Sequence, residues 1–397
     1  MIDSAVERLV KASPGMEIWL DASPLVFGEW AANLARGFPP AERARVEAQV
    51  ARLFSADDPA TGVLCGCTTN PLLSLAAVKS DPQYWNKRID EIIASQPGIG
   101  LPTLSWRTYE AVIRRSAEMM LPIWEASHGR FGFVSAQLDP RLASQTGAMC
   151  RQASQIASFA PNVIVKVPAS QEGIEVVRHV MAEGISTNVT TCFTMSQIMA
   201  AARAARQGLE IARGRGMDTS RCRSVITYFL ARLIERPELL REAEERGIEL
   251  TEIDRKWFGI ALFKRACELM REGGYPSKML LCSLRRGPWA DGRERFWDIE
   301  EFAGGDIILT LSPGLLELLF ELDGNLVFDP DAIRRPVPRA SLDKVLKLPY
   351  ARAAYEPDGL TPEQFDTHPA MVHMLEQFCS AATALEDHLG RRLALST

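Results

Sequence analysis

Residues 162–192 read NVIVKVPASQEGIEVVRHVMAEGISTNVTTC, and this stretch decides the fold. Asn162 to Val167 is a short run of branched apolar residues carrying one lysine, the pattern of a strand buried on both faces. Gln171 to Glu183 is amphipathic at helical spacing, and Ser186 to Cys192 is a second strand-like run. Strand, helix, strand over so short a span predicts two parallel strands joined by a right-handed crossover.

The same unit recurs in both directions. Strand candidates upstream are Glu17 to Asp21, Val63 to Thr68 and Phe131 to Gln137; downstream they are Arg223 to Tyr228, Lys278 to Ser283 and Asp306 to Thr310. With the first two they make eight, and amphipathic stretches such as Gly147 to Phe159 lie between them. Eight β/α units predict an α/β fold of the (β/α)8 TIM-barrel type. A doubly wound open sheet is the runner-up, but neither G-x-G-x-x-G after the first strand nor a Walker A sequence is present.

The expected organisation is one barrel domain over residues 1–397, with helical insertions at about 28–62, 73–129 and 236–254 and a helical C-terminal extension from about 334 to 397. Within these, Ala41 to Phe54 has a helical pattern, Leu73 to Gly129 reads as two or three helices broken by Pro102 and Gly129, and Arg236 to Asp254 reads as a charged, solvated helix. A last helix is expected from about Pro369 to Leu393.

Composition narrows the partners. The 397 residues are 47% hydrophobic and 24% charged with a net charge of −5, ordinary globular values without a basic block that could track a phosphate backbone, so nucleic acid is not an expected partner. No run approaches the roughly 18 apolar residues of a membrane span, and Met1 to Gly15 lacks the apolar core of a secretory signal, so no membrane partner is expected. The eight cysteines lack paired zinc spacing and read as reduced thiols of a cytoplasmic protein; Cys65 and Cys67 share one strand face. His128, His179, His368, His373 and His388 lie away from the predicted strand ends, so they assemble neither a Ser-His-Asp triad nor a zinc site.

Polar side chains inside strands buried on both faces are costly unless paired or used. Here they gather near the carboxyl ends of the strand candidates, the active face of such a barrel: Asp21, Thr68, Thr69 and Asn70, Gln137, Lys166, Asn188 and Thr190, Thr227, and Ser283. Lys166, set among valines and isoleucine, is either a strand-end lysine reaching solvent or pairing with an acid, or a desolvated amine able to attack a carbonyl. A Schiff-base amine needs a proton donor and acceptor, and Asp21 is the one acid among these residues. Asn70 and Asn188 could hold substrate hydroxyls and Thr190 a catalytic water; equally, Asp21 could cap a helix, Thr69 and Asn70 form a turn before Pro71, and Thr190 be an ordinary strand residue. Arg232 and Arg285 follow adjacent strands, where guanidinium forks beside Thr227 and Ser283 suit a phosphate.

Thr68-Thr-Asn-Pro-Leu-Leu73, Val165-Lys-Val-Pro-Ala-Ser-Gln-Glu-Gly-Ile174, Glu183-Gly-Ile-Ser-Thr-Asn-Val-Thr190 with Phe193 and Gln197, Ile226-Thr-Tyr-Phe-Leu-Ala-Arg-Leu233 and Cys282-Ser-Leu-Arg285 resemble, in order, the motifs of the transaldolase family. The likeness runs from about residue 17 to about 320 and implies a class I aldolase-type barrel that moves a dihydroxyacetone unit from a ketose phosphate to an aldose. It implies Lys166 as the Schiff-base lysine, Asp21 as general acid/base, and Asn70 and Asn188 as binders of the dihydroxyacetone hydroxyls. It further implies Thr190 as holder of the catalytic water, Phe229 as a wall of the site, and Thr227, Arg232, Ser283 and Arg285 as phosphate ligands. No metal or organic cofactor is needed by this chemistry, the partners are small sugar phosphates, and a monomer or homodimer is expected.

The resemblance breaks at Gln137, where transaldolases carry glutamate; an amide cannot exchange a proton through the water on Thr190. The fructose-6-phosphate aldolase group resembles this chain there, although its members are short. Thr227 and Ala231 replace the usual serine and glycine, and the segment between Asp21 and Asn70 is longer than in ordinary members, as a specialised transaldolase would have. Besides a transaldolase, the residues admit an aldolase that releases dihydroxyacetone and a sugar-phosphate-binding protein without catalysis.

Overall fold

The computed structural model describes residues 2–55, 62–289 and 292–395. Eight strands, β1 (Glu17–Leu20), β2 (Leu64–Thr68), β3 (Phe133–Gln137), β4 (Val163–Pro168), β5 (Thr187–Cys192), β6 (Ser224–Phe229), β7 (Ser277–Cys282) and β8 (Ile308–Leu311), close into a barrel in sequence order. The predicted strands are all present with ends displaced by two residues or fewer, and closure removes the open-sheet alternative. Two compact units make up the chain: Met1–Ile18 with Val167–His373, and Trp19–Lys166 with Met374–Thr397.

In the Trp19–Lys166 unit, β2, β3 and β4 pair in parallel with Gly66 opposite Phe133, Thr68 opposite Ser135, and Gln137 opposite Lys166. Trp19 stacks on Phe133 at 6.4 Å between ring centroids, and a Cβ on Gly66 would lie 2.7 Å from the indole. Glycine at 66 is therefore what admits the tryptophan. Because side chains alternate along a strand, Asp21, Thr68, Gln137 and Lys166 share the face of that aromatic layer, nearer the carboxyl ends.

Helices Phe27–Gly37 and Pro40–Ala51 occupy the stretch after β1, and residues 56–61 of the expected 28–62 insertion lie outside the described residues. Three helices, Pro71–Ser80, Pro82–Ser95 and Leu101–Ala126, follow β2. The expected boundary at Pro102 is present, the proline standing in the first turn of the third helix, which has no use for the missing N–H. Gly129, at φ +84°, lies just beyond its end. Trp85, Ile89, Leu104 and Val112 form a buried cluster with Leu385 and Leu389 of the last helix, Pro369–Leu393.

In the other unit, β5 to β8 pair in parallel, with Asn188 opposite Val225 and Thr227 opposite Leu280. Tyr228 points the opposite way and stacks on Phe263 of the helix Glu252–Glu272 at 5.7 Å. Arg236 to Asp254 is not one helix: Pro237–Glu245 ends before Gly247 at φ +63°, and Thr251 caps the next helix with Asp254 in its capping box. Burial opposes ionisation of Asp254, but hydrogen bonds from Lys344, Thr251 and Ser341 outweigh it and hold the carboxyl at about 2.

Candidate functional site

Asp21 follows β1 directly, and the Thr68 hydroxyl donates to its Oδ1 at 2.6 Å. It does not cap the following turn; Ser23 does, accepting from Leu25 N. Thr69 donates its hydroxyl to Ser135 O at 2.8 Å. Asn70 is the N-cap of Pro71–Ser80, its Oδ1 accepting from Leu73 N at 2.9 Å, which leaves the amide N–H groups as its donors.

Lys166 is 4% exposed, so it is no lysine reaching for solvent, and its Nζ donates to Thr69 O at 3.4 Å. Gln137, opposite it in register, is 5% exposed; its carbonyl accepts from Tyr109 OH at 2.8 Å and its Oε1 has no partner among the described residues. The strand ends there. Asp139 turns to Arg141 at 2.7 Å, and Arg141 also meets Glu386 of the last helix at 2.9 Å. Tyr109 was invisible in the sequence: an aromatic on an amphipathic helix announces burial, not a bond to a strand end.

In the second unit Thr227 donates to Asn188 Oδ1 at 2.6 Å. Its single proton is thereby committed to orienting the asparagine amide, a role different from the phosphate ligation implied by resemblance. Thr190 is 1% exposed and its Oγ1 has no partner among the described residues. The register shifts between Val189 and Cys192, and Thr191 sits at φ +57° with its hydroxyl on Thr190 O at 2.6 Å. A bulge of this kind re-aims a strand-end side chain. Gln197 fixes it, accepting from Phe193 N at 3.0 Å and donating to Ala169 O at 3.0 Å and Thr191 O at 3.3 Å.

Phe229 is buried 5.5 Å from Phe193, which stacks in turn on His368 at 6.2 Å. Neither His368 nitrogen has a partner among the described residues, and burial pushes the imidazole down to about 4, so it is neutral near pH 7. Arg232 lies on the short helix Leu230–Ile234, with no hydrogen bond or ion pair from its guanidinium among the described residues. Ser283 stands just past β7 at φ +60° with its Oγ buried and unpartnered among the described residues. Arg285 donates its backbone N–H to Asp298 Oδ2 at 2.7 Å, and its Nε lies 3.5 Å from Glu235. The buried partners of that contact, Asp298 and Lys256, carried no sequence signal.

Among the described residues no three His, Cys, Asp or Glu side chains are grouped to hold a metal, no cysteine is in a disulfide, and no helix is long and apolar enough to cross a membrane.

The family model described as Transaldolase/Fructose-6-phosphate aldolase matches residues 57–355. The chain is 32% identical over 224 residues to "Transaldolase" of Arthrobacter sp. (strain FB24), covering 55% of this chain and 53% of that protein. It is 31% identical over 232 residues to "Transaldolase 1" of Streptomyces coelicolor, 58% and 54% of the two chains. "Transaldolase" of Mycobacterium leprae (strain TN) is 30% identical over 238 residues, 58% and 62%. The chain thus matches about half the length of these relatives. With the family model spanning well over half of its residues, the chain belongs to the transaldolase/fructose-6-phosphate aldolase family.

Proposed function

We propose that the protein is a transaldolase that passes a dihydroxyacetone unit from a ketose phosphate to an aldose phosphate through a Schiff base on Lys166. The observation that carries the reading is the placement of that amine: buried, on the strand face of Asp21, Thr68 and Gln137, within reach of the carbonyl at the end of β2. An amine so enclosed is shielded from competing water while it condenses with a ketone.

In the proposed cycle the amine adds to the ketone and water leaves as the iminium forms. Asp21, held by Thr68, takes the proton of the hydroxyl next to the scissile C–C bond; the bonding electrons pass to the iminium, and an aldose phosphate departs. The remaining enamine attacks the aldehyde of the acceptor, and hydrolysis of the new iminium restores the lysine. Asn70 and Asn188, each with its amide oxygen already engaged, offer N–H groups to the dihydroxyacetone hydroxyls. Thr190 holds the water, Phe229 walls the site, and Arg232, Ser283 and Arg285 take the phosphate, with Thr227 supporting Asn188. The whole chain acts as one cytoplasmic domain, monomeric or homodimeric.

Borohydride reduction in the presence of fructose 6-phosphate, read by intact mass, tests this: wild type gains a covalent adduct and Lys166→Ala does not. An adduct on the alanine variant, or none on wild type, overturns it. Gln137 favours a second reading, an aldolase releasing free dihydroxyacetone, because an amide with an unpartnered oxygen cannot take up a proton. Donor cleavage that proceeds equally fast with and without an aldose phosphate acceptor would select it.

A further inference from the structure

We infer that the buried Lys256–Asp298 ion pair is a positioning device that sets the phosphate end of the site; the inference rests on the function proposed above. Lys256, on the helix Glu252–Glu272, and Asp298, on the short helix Trp297–Glu300, meet at 2.7 Å with side chains 3% and 0% exposed. The Asp298 Oδ2 that takes the ammonium also accepts from Arg285 N at 2.7 Å, and the same ammonium donates to Arg285 O at 3.3 Å. The pair therefore holds both polar ends of one residue that lies outside any strand or helix. Two residues earlier stands Ser283, in the left-handed region with its hydroxyl unpartnered among the described residues.

Packing alone does not call for such a pair. Two buried charges lose hydration that their attraction repays only in good geometry, and an apolar pair of similar volume is commonly as stable or more so. Asp298 Oδ1 adds to the cost, being buried without a partner among the described residues. What an apolar pair cannot do is hold the N–H and C=O of a loop residue in place.

The helix bearing Asp298 grips the loop a second time. Trp297 Nε1 donates to Pro288 O at 3.0 Å, and a Cβ on Gly287 would come within 2.2 Å of the Trp297 ring. Between the strand end and that clamp, the backbone that carries Ser283 and Arg285 has its geometry imposed from behind. Rigid support of this kind raises affinity for a ligand by removing the ordering cost of binding. A phosphate dianion, which needs several donors at once, gains most.

The test compares wild type with the double variant Lys256→Met/Asp298→Leu, which removes both charges together, and with Asp298→Asn, whose amide oxygen can still accept from Arg285 N. Steady-state kinetics are measured with fructose 6-phosphate and with fructose as donor, and inorganic phosphate serves as competitive inhibitor. In the double variant the KM for fructose 6-phosphate rises about tenfold and phosphate inhibition weakens in step, while kcat stays within about twofold and the KM for fructose is unchanged. Asp298→Asn gives a smaller rise in the same ratio. An unchanged KM ratio in folded protein, or an equal rise for both donors, overturns the inference. So does a double variant that fails to fold while Asp298→Asn keeps the wild-type ratio. If wild type neither prefers fructose 6-phosphate nor responds to phosphate, the proposed function has failed, and this arm alone shows it.

Discussion

Ser283 is where stability and proposed function pull in opposite directions, and the size of the conflict can be worked out. At φ +60° its Cβ is strained by about 1–2 kcal/mol, which glycine relieves, less about 0.5–1 kcal/mol for the greater freedom of glycine in the unfolded chain. Its buried, unpartnered hydroxyl costs a further ~1–3 kcal/mol, recovered by any residue lacking it. Ser283→Ala should therefore be more stable than wild type, and Ser283→Gly more stable than Ser283→Ala by up to about 1.5 kcal/mol. At about 2.1 cal/mol/K of unfolding entropy per residue, each 1 kcal/mol moves the midpoint of a chain this long by roughly 1 °C, within the reach of scanning calorimetry. Both variants should raise the KM for fructose 6-phosphate about tenfold and leave that for fructose alone, as expected for loss of one hydrogen bond to a charged group. A glycine variant no more stable than the alanine variant would refute the strain argument, and an unaltered KM for the phosphorylated donor would refute the role of the hydroxyl.

Gln137→Glu should raise the rate of transfer to an aldose phosphate severalfold, measured by coupled assay, because a carboxylate can exchange a proton where the amide cannot; an unchanged rate would direct attention to the segment between Asp21 and Asn70. His368→Phe should flatten the loss of stability on acidification. The folded-state imidazole is pushed below its ordinary value by burial, with Glu238 pulling it up and Arg236 pushing it down, so stability is full above the unfolded pKa of about 6.5 and falls as pH drops toward about 4. Thermal midpoints from pH 7 to 4 that decline equally in wild type and variant would contradict that assignment.

The strands were legible because a parallel barrel buries both faces of each, leaving short apolar runs such as Val163 to Val165. Their ends were nearly right for the same reason: polar residues cannot intrude far. What the sequence hid depends on position in space. Ser283 and Thr191 carry no residue-type signal for positive φ, unlike glycine or asparagine, so the turns they make were unreadable. Lys256 and Asp298 are separated along the chain by most of a helix and a strand, and each alone looks like a surface charge. Pro102 marks a helix boundary in the sequence, but not on which side of it the proline stands, and that position decides whether the missing N–H matters. Thr227 was correctly picked as a strand-end hydroxyl, but the direction of its one proton is a matter of ångströms.

Within each of the two units the candidate residues fall into two physical classes, those already oriented and those left without a partner, and on the proposed function that division argues for groups arranged in advance of a ligand. Thr68 on Asp21, Leu73 N on Asn70 and Thr227 on Asn188 each fill one acceptor and so fix the orientation of the group that remains. Gln137 Oε1, Thr190 Oγ1 and Ser283 Oγ are buried with nothing to bond to among the described residues. A buried polar atom left unpaired is expensive in a folded chain and is ordinarily paired or replaced. Other buried atoms without partners, such as Ser74 Oγ and Thr108 Oγ1, lie on helices, so an orphan alone is no marker. For Gln137, Thr190 and Ser283, on the proposed function, water and the phosphate and hydroxyl oxygens of the substrate supply the missing partners. Binding energy is then drawn from groups that have already paid for their burial, which is how a site can hold a small polar molecule tightly without rearranging to meet it.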